Sequence, residues 1–284
     1  MTSRNQASRV LRYFIIYFLL IVVFAIVVIP LLWAVASSFS QNDLIFKNVF
    51  PFSWKAFFPQ QLTLDAYKTL FTQKGFGLAL LNTSILSLAT VLVSGIINLI
   101  AGFAFATFNF KGKNLLFALV MFSFMVPIEV TIIPQYIQMK NLGWLNTWQG
   151  LLIPGFANSM VIFLFRQFFA DFPKDLIEAA RVDGASWLKI LISIIVPLSK
   201  PVLIGAAIML FTSSWNSFFW PLVVAPDPKF RVIQVAISLT VQQTKILWNQ
   251  MFAGSLLAAI FPILIVLPLQ KYYVQSITST GIKE

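Results

Sequence analysis

Five stretches of at least 25 residues carry no charged side chain: residues 13–42, 75–110, 141–165, 201–226 and 246–270. A helix needs about 20 consecutive apolar residues to cross a hydrocarbon core about 30 Å thick, so each of these is long enough to span. A sixth apolar run, 114–139, is interrupted only by Glu129. The expected fold is an all-α integral membrane protein with six transmembrane helices, placed near 13–38, 76–108, 114–138, 148–166, 200–224 and 250–269. Composition agrees: 59% of the 284 residues are apolar and 10% charged, where a soluble domain carries about 25% charged residues. A soluble enzyme is excluded. The chain divides into residues 1–75 (N-terminal end, first span and external loop), 76–270 (a core with spans two to six) and a tail, 271–284.

The absences narrow the chemistry further. With no Cys and no His, the chain lacks thiolate and imidazole metal ligands, the commonest general base and any disulfide. No G-x-x-x-x-G-K-[ST] run is present to cradle nucleotide phosphates. Catalysis and resident metals or cofactors are not expected, and energy for any work would come from another chain. The formal charge of +11 lies in loops flanking the apolar runs, a pattern of membrane topology and not of nucleic-acid binding.

Arg4, Arg9 and Arg12 precede the first apolar run, and Ala34-Val35-Ala36 imitates a signal-peptidase site. The run from Tyr13 to Trp33 exceeds the 7–15 residues of a signal-peptide core, so a retained span is expected. An even number of spans puts both termini on one side. That side carries twelve of the 20 Lys and Arg residues and the opposite side eight. Basic residues flanking spans are retained in the cytoplasm, which makes both termini cytoplasmic.

Two connections are too long for simple hairpins. In the external segment 39–75, apolar residues at 64, 67, 70 and 71 predict a short amphipathic helix at the interface. The internal segment 167–199 is the most charge-dense of the chain, with Asp171, Lys174, Asp175, Glu178, Arg181, Asp183 and Lys189. There Asp171 reads as an N-cap with Pro173 in the first turn, and Gly184 as a left-handed stop. Ser186 would cap a second helix from Trp187 to Val196 that runs into Pro197 and the fifth span. Small residues Ala179 and Ala180, charges at Glu178, Arg181 and Asp183, and apolar anchors Leu176 and Ile177 suit docking to a partner. The rival reading is a helix lying on lipid, for which the acidic residues are unhelpful beside an anionic leaflet.

The run Glu178-Ala179-Ala180, three residues, Gly184, nine residues, Ile194, one residue, Val196-Pro197 resembles the EAA loop of the membrane subunits of bacterial ABC importers, with Val196 where Leu is usual. Weaker matches extend the resemblance over most of the chain: Leu81-Asn82-Thr83-Ser84, Pro127-Ile128-Glu129-Val130, Ile133-Pro134, Trp215-Asn216 and the tail from Gln270 to Lys283. Together they are similar to the second permease subunit of the carbohydrate-uptake branch, the group that includes the maltose transporter. The resemblance implies a type I importer permease in the bacterial inner membrane. It implies as partners a homologous second permease, two ATPase subunits that bind ATP and Mg, an extracytoplasmic solute-binding protein and the surrounding lipid. Glu178, Ala179, Ala180, Arg181, Asp183 and Gly184 would couple it to the ATPase, the tail 276–284 would reach the ATPase dimer, and segment 226–249 would contact the binding protein.

For the solute path, polar and aromatic residues inside spans are the candidates: Asn82, Glu129, Trp215, Asn216 and Trp220 first, with Asn98, Gln135, Asn158, Thr212, Ser213 and Ser214 beside them. Sugars present apolar faces and hydroxyls, for which aromatic platforms with amides and hydroxyls are the fitting lining. The same residues also serve as hydrogen-bonding glue between helices. Ser217 stands where the family often has Glu. Glu129, beside Pro127, is the carboxylate deepest in a span; intramembrane carboxylates are functional candidates, and a proton-coupled secondary transporter is the alternative it raises. A non-sugar solute such as glycerol phosphate is the other alternative.

Overall fold

A computed structural model describes residues 2–59, 61–241 and 246–278 of the chain; the tail from 279 onward lies outside the described residues. Among the described residues the regular structure is helical, apart from a single bridge between Val241 and Ile246. Three unbroken helices are long and apolar enough to cross a membrane: Leu11–Ser38, Phe76–Thr107 and Trp248–Lys271. Three bent pairs of helices are together long and apolar enough: Lys113–Met125 with Ile128–Asn141, Trp148–Gly155 with Ser159–Ala170, and Trp187–Leu198 with Lys200–Trp215. Counting each pair as one span gives up to six.

The helices group into two compact units, 1–74 with 237–257 and 75–236 with 258–284. In the first unit the span Leu11–Ser38 is apolar all round and exposed along most of its length, as a lipid-facing helix must be. Its end is fixed by an aromatic cluster in which Trp33 lies 5.8 Å from Phe46 and 5.2 Å from Phe252, with Trp248 5.3 Å from Phe46. Amphipathic rings of this kind gather at the membrane interface. The short helix expected near residues 62–71 forms at Asp65–Thr72, but with a different apolar face. Ala66 and Leu70 are buried whereas Leu64 and Phe71 stay exposed. The helix is held by packing on the adjoining chain: the Tyr67 hydroxyl lies 2.8 Å from Ser38 Oγ and its ring 5.2 Å from Phe39.

The second unit is built around the contact of Gly95–Thr107, the latter part of the second span, with Ser159–Ala170. Gly102 makes that approach possible. A Cβ there would collide with Phe165 and stand 3.2 Å from the Ile162 carbonyl oxygen. Small residues let membrane helices pack backbone to backbone, since lipid supplies no hydrophobic drive between them. Phe103, Val161, Phe165, Phe169, Ile190, Ile195 and Val202 fill the core around this crossing.

The bends depart from the straight spans that apolar runs predict. The third span turns by 103° between Met125 and Ile128, because Val126 precedes a proline and is driven into extended geometry (φ −81°, ψ 119°), as the clash with the proline ring requires. The second helix of the charge-dense segment runs from Trp187 to Leu198 and then meets Lys200–Trp215 at 86°. Pro201 has no N–H to continue the ladder across Ser199. Uncharged length predicts the fifth span as one helix to 224; it ends at Trp215 and resumes as Phe219–Val224. Asn216 takes the C-cap position (φ −90°, ψ 6°), and its side-chain Nδ2 bonds the Thr212 carbonyl at 2.9 Å, the local side-chain-to-backbone bonding that Asn favours at helix ends.

Candidate partner-docking helix and solute cavity

The charge-dense segment folds as a helix, Lys174–Val182, a glycine corner and a second helix. Pro173 takes the N-cap position, and Asp171, expected there, instead closes the preceding helix Ser159–Ala170. A proline cannot continue a helix from before it but is pre-set to begin one, which moves the boundary by two residues. Asp175 lies in the first turn and Arg181 in the last, both favourable to the helix dipole. Gly184 has φ +77°, the left-handed geometry that glycine adopts without cost. The Ala185 N–H then reaches the Ala180 carbonyl at 2.9 Å, closing the helix end. Ser186 Oγ accepts from Lys189 N–H at 3.3 Å and caps the second helix as its sequence predicts.

The helix has two distinct faces. Ile177 and Ala180, with Ala185 after the corner, pack against the buried core. Asp175, Glu178, Ala179 and Val182 are exposed at spacings of three and four, which puts them in one stripe. Of the expected anchors, Leu176 is therefore exposed and Ile177 is not; of the two alanines, Ala179 faces out and Ala180 is partly covered. Arg181, Asp183 and Gly184 are exposed. Val182, 88% exposed, belongs to the outward stripe although composition did not single it out. Its place four residues after Glu178 was the available signal.

A cavity of about 250 Å³ lies within the second unit, lined by Thr90, Gln135, Asn158, Ser213, Ser214, Ser217 and Trp220 among others. Its walls come from helix irregularities. Ile128 follows the bend of the third span, Gly155, Ala157 and Asn158 form the break in the fourth, and Ser217 lies in the break of the fifth. Thr90 begins a π-helical segment, Thr90–Ser94, inside the second span; such segments recur at functional sites. Asn98, fully buried, closes the break in the fourth span by donating Nδ2 to the Phe156 carbonyl (3.2 Å) and accepting at Oδ1 from Asn158 N–H (3.0 Å). Asn158 Oδ1 in turn caps the next helix at Val161 N–H, 3.1 Å away.

Of the five leading pathway candidates, the structure brings only Trp220 to this cavity; its Nε1 donates to the Gly150 carbonyl at 3.0 Å. Trp215 is buried between Phe211 and Phe261, its Nε1 bonded to the Ala258 carbonyl at 3.0 Å. Asn216 is exposed and accepts from Gln234 Nε2 at 3.3 Å. Glu129 is exposed in the first turn after the 103° bend, where the helix N-terminus favours negative charge. Asn82 is buried and clips down the segment after Phe219–Val224, its Nδ2 donating to the Lys229 and Arg231 carbonyls at 2.9 Å each. Thr83 Oγ1 accepts from Ile233 N–H at 2.8 Å, and Asn146 Oδ1 from Asp227 N–H at 2.9 Å. The segment expected to meet an external partner is thus anchored at 227–233; its residues 242–245 lie outside the described residues.

Residues 98–278 match the family model described as binding-protein-dependent transport system inner membrane component. The chain is 30% identical over 259 residues to the arabinooligosaccharides transport system permease protein AraQ of Halalkalibacterium halodurans, covering 91% of this chain and 92% of that protein. It is 30% identical over 270 residues to the sn-glycerol-3-phosphate transport system permease protein UgpE of Salmonella typhi, covering 92% and 94%. Its fold matches a chain of a bacterial ABC transporter that imports the acidic polysaccharide alginate, with TM-score 0.77, 25% identity, and coverage of 96% and 99%.

The Asn82 clip is open to a direct check. Asn82→Leu leaves two carbonyls unpaired, and losing such bonds costs roughly 1–2 kcal/mol, enough to raise local opening about tenfold. Trypsin should then cut after Lys229 and Arg231 about tenfold faster than in the wild-type protein. Unchanged cleavage would mean that the segment is held by packing alone.

Proposed function

The chain belongs to the binding-protein-dependent transport system inner membrane components, and we propose that its Lys174–Val182 helix is the joint through which a partner ATPase moves the spans. The protein is a multi-pass inner-membrane permease of an ABC importer for sugars, oligosaccharides or glycerol 3-phosphate. It works with a second permease, ATPase subunits and a solute-binding protein, and it hydrolyses no ATP itself.

The observation that carries the coupling role is the two-faced helix. Ile177 and Ala180 are locked into the bundle core while Asp175, Glu178, Ala179 and Val182 present a continuous exposed stripe. A partner pressing on the stripe therefore meets a helix backed by protein on its other face. In this reading Glu178 pairs with a basic group of the ATPase, Ala179 admits close approach, Val182 fills an apolar pocket, Arg181 and Asp183 flank the contact, and Gly184 makes the corner. The demand on the contact is large, since shifting a two-state equilibrium from 1:99 to 99:1 takes about 5.5 kcal/mol of differential binding. The helix must then lie on the cytoplasmic side, which puts both termini there, in keeping with the excess of basic residues on that side.

The cavity at the helix breaks is the proposed solute path of this subunit. Hydroxyls of Thr90, Ser213, Ser214 and Ser217, the amides of Gln135 and Asn158, and the face of Trp220 suit the hydroxyls and apolar faces of a sugar. We assign the solute to the neutral oligosaccharides on that chemistry. Glu129 takes a gating or structural role at the bend and not a proton relay.

Glu178→Lys and Gly184→Asp should each lower uptake in proteoliposomes at least about tenfold, either by losing the ATPase or by leaving hydrolysis unlinked to transport; wild-type uptake in both would end the coupling reading. Ser214→Phe should block uptake of a pentose or hexose oligosaccharide while binding-protein-stimulated ATP hydrolysis persists, and vanadate but not an uncoupler should stop wild-type uptake. Preference for glycerol 3-phosphate over oligosaccharide in the same assay would overturn the solute assignment. Because the chain has no Cys, a single cysteine placed at Ser3 should react with a permeant maleimide and resist an impermeant one in intact cells; the opposite result would invert the topology.

A further inference from the structure

The glycine corner is the weak point of the joint. Gly184 has no side chain and sits at φ +77°, and glycine is the residue freest to move away from such a geometry. A lever whose corner flexes would absorb displacement instead of passing it on. One side chain bridges that corner. Arg181, in the last turn of the docking helix, donates from Nη1 to the Ala185 carbonyl at 2.9 Å, beyond the glycine. Its guanidinium also lies 4.9 Å from the centre of the Trp187 ring, a cation–π arrangement.

Trp187 carries the contact onward. Its ring meets Phe108 nearly perpendicularly at 4.9 Å and Phe103 at 6.4 Å. Phe103 packs edge-on against Phe108 at 5.8 Å and Phe169 at 6.2 Å, and Phe103 and Phe169 are buried. Phe108 caps the end of the second span, and Phe169 lies in the last turn of Ser159–Ala170. Edge-to-face rings in close packing resist sliding. The docking helix is therefore joined to the ends of two spans through side chains that bypass Gly184.

We propose that Arg181 and Trp187 are positioning residues that stiffen the glycine corner, so that displacement of the docking helix is delivered through Phe108 and Phe103 to the ends of the second and fourth spans. The inference rests on the coupling role of the Lys174–Val182 helix proposed above, and it concerns transmission, not ATPase binding. Neither residue lies in the outward stripe. Loss of the Trp187 ring should leave the complex assembled and hydrolysing ATP, but with less transport per ATP.

The test measures solute imported per ATP hydrolysed, using the complete transporter with its binding protein in proteoliposomes. Trp187→Leu should lower that ratio about fivefold or more, while the yield of assembled complex and stimulated hydrolysis stay near wild type. Trp187→Phe, which keeps an aromatic edge for Phe108, should recover most of the ratio. A wild-type ratio in Trp187→Leu would overturn the proposal, as would Trp187→Phe proving as defective as Trp187→Leu, or a loss explained wholly by poorer assembly. Glu178→Lys, run alongside, separates the two levels. If it impairs uptake while Trp187→Leu does not, the joint stands and the stiffening falls; wild-type uptake in Glu178→Lys removes the joint itself.

Discussion

Backbone in hydrocarbon has no water to bond, so a break in a spanning helix is tolerated only where protein or a lined cavity satisfies the freed groups. This condition organises the second unit. The bend after Val126, the break from Phe156 to Asn158 and the stop at Asn216 come together around one cavity. The second and third are secured by asparagines. Asn98 bonds both sides of the break in the fourth span, Asn158 caps the helix Ser159–Ala170 beyond it, and Asn216 holds the carbonyl at the end of its own helix. A transporter needs polar groups along its path, and the breaks bring the hydroxyls and amides of Ser217, Asn158 and Gln135 to one cavity.

The same polar residues explain why reading a pathway from composition selects poorly. Asn82 and Asn98 are polar side chains in apolar helices, as are the residues that would greet a sugar. What separates them is the partner: Asn82 Nδ2 is taken up by two carbonyls of the anchored segment and Asn98 by the broken fourth span, whereas Gln135 and the serines 213, 214 and 217 line open space. Trp215 and Trp220, five residues apart, divide likewise, one stacked in the core and one at the cavity wall. Tertiary partners of this kind leave no mark on the local sequence.

Local signals were legible. The number and approximate position of the spans follow from uncharged length, and the helix, glycine corner and Ser186 cap of the docking segment follow from capping chemistry that acts within four residues. The exceptions were also local but competing. Asp171 and Pro173 both mark a helix start, and the ring of Pro173 fixed the position. Pro127 lies inside an apolar run that looks continuous to any measure of hydropathy, yet the restriction it places on Val126 turns the chain by 103°. Which alanine of the Glu178-Ala179-Ala180 run faces out required the bundle: helical spacing sets two stripes, and only the core against Ile177 decides which is inside.

The composition of the outward stripe bears on what covers it. A helix resting on a membrane surface buries its apolar stripe in the headgroup region and directs basic residues toward the anionic leaflet. Here the apolar residues Ile177 and Ala180 already face protein, and the exposed stripe carries Asp175 and Glu178 beside Ala179 and Val182. Carboxylates are repelled by an anionic surface, while an 88% exposed Val182 still gains by leaving water, at about 25 cal/mol for each Å² covered. A surface that offers basic groups around a small apolar pocket satisfies both residue types together, and lipid satisfies only one. The stripe is therefore matched to a protein groove, and the buried face behind it gives that groove something rigid to push against.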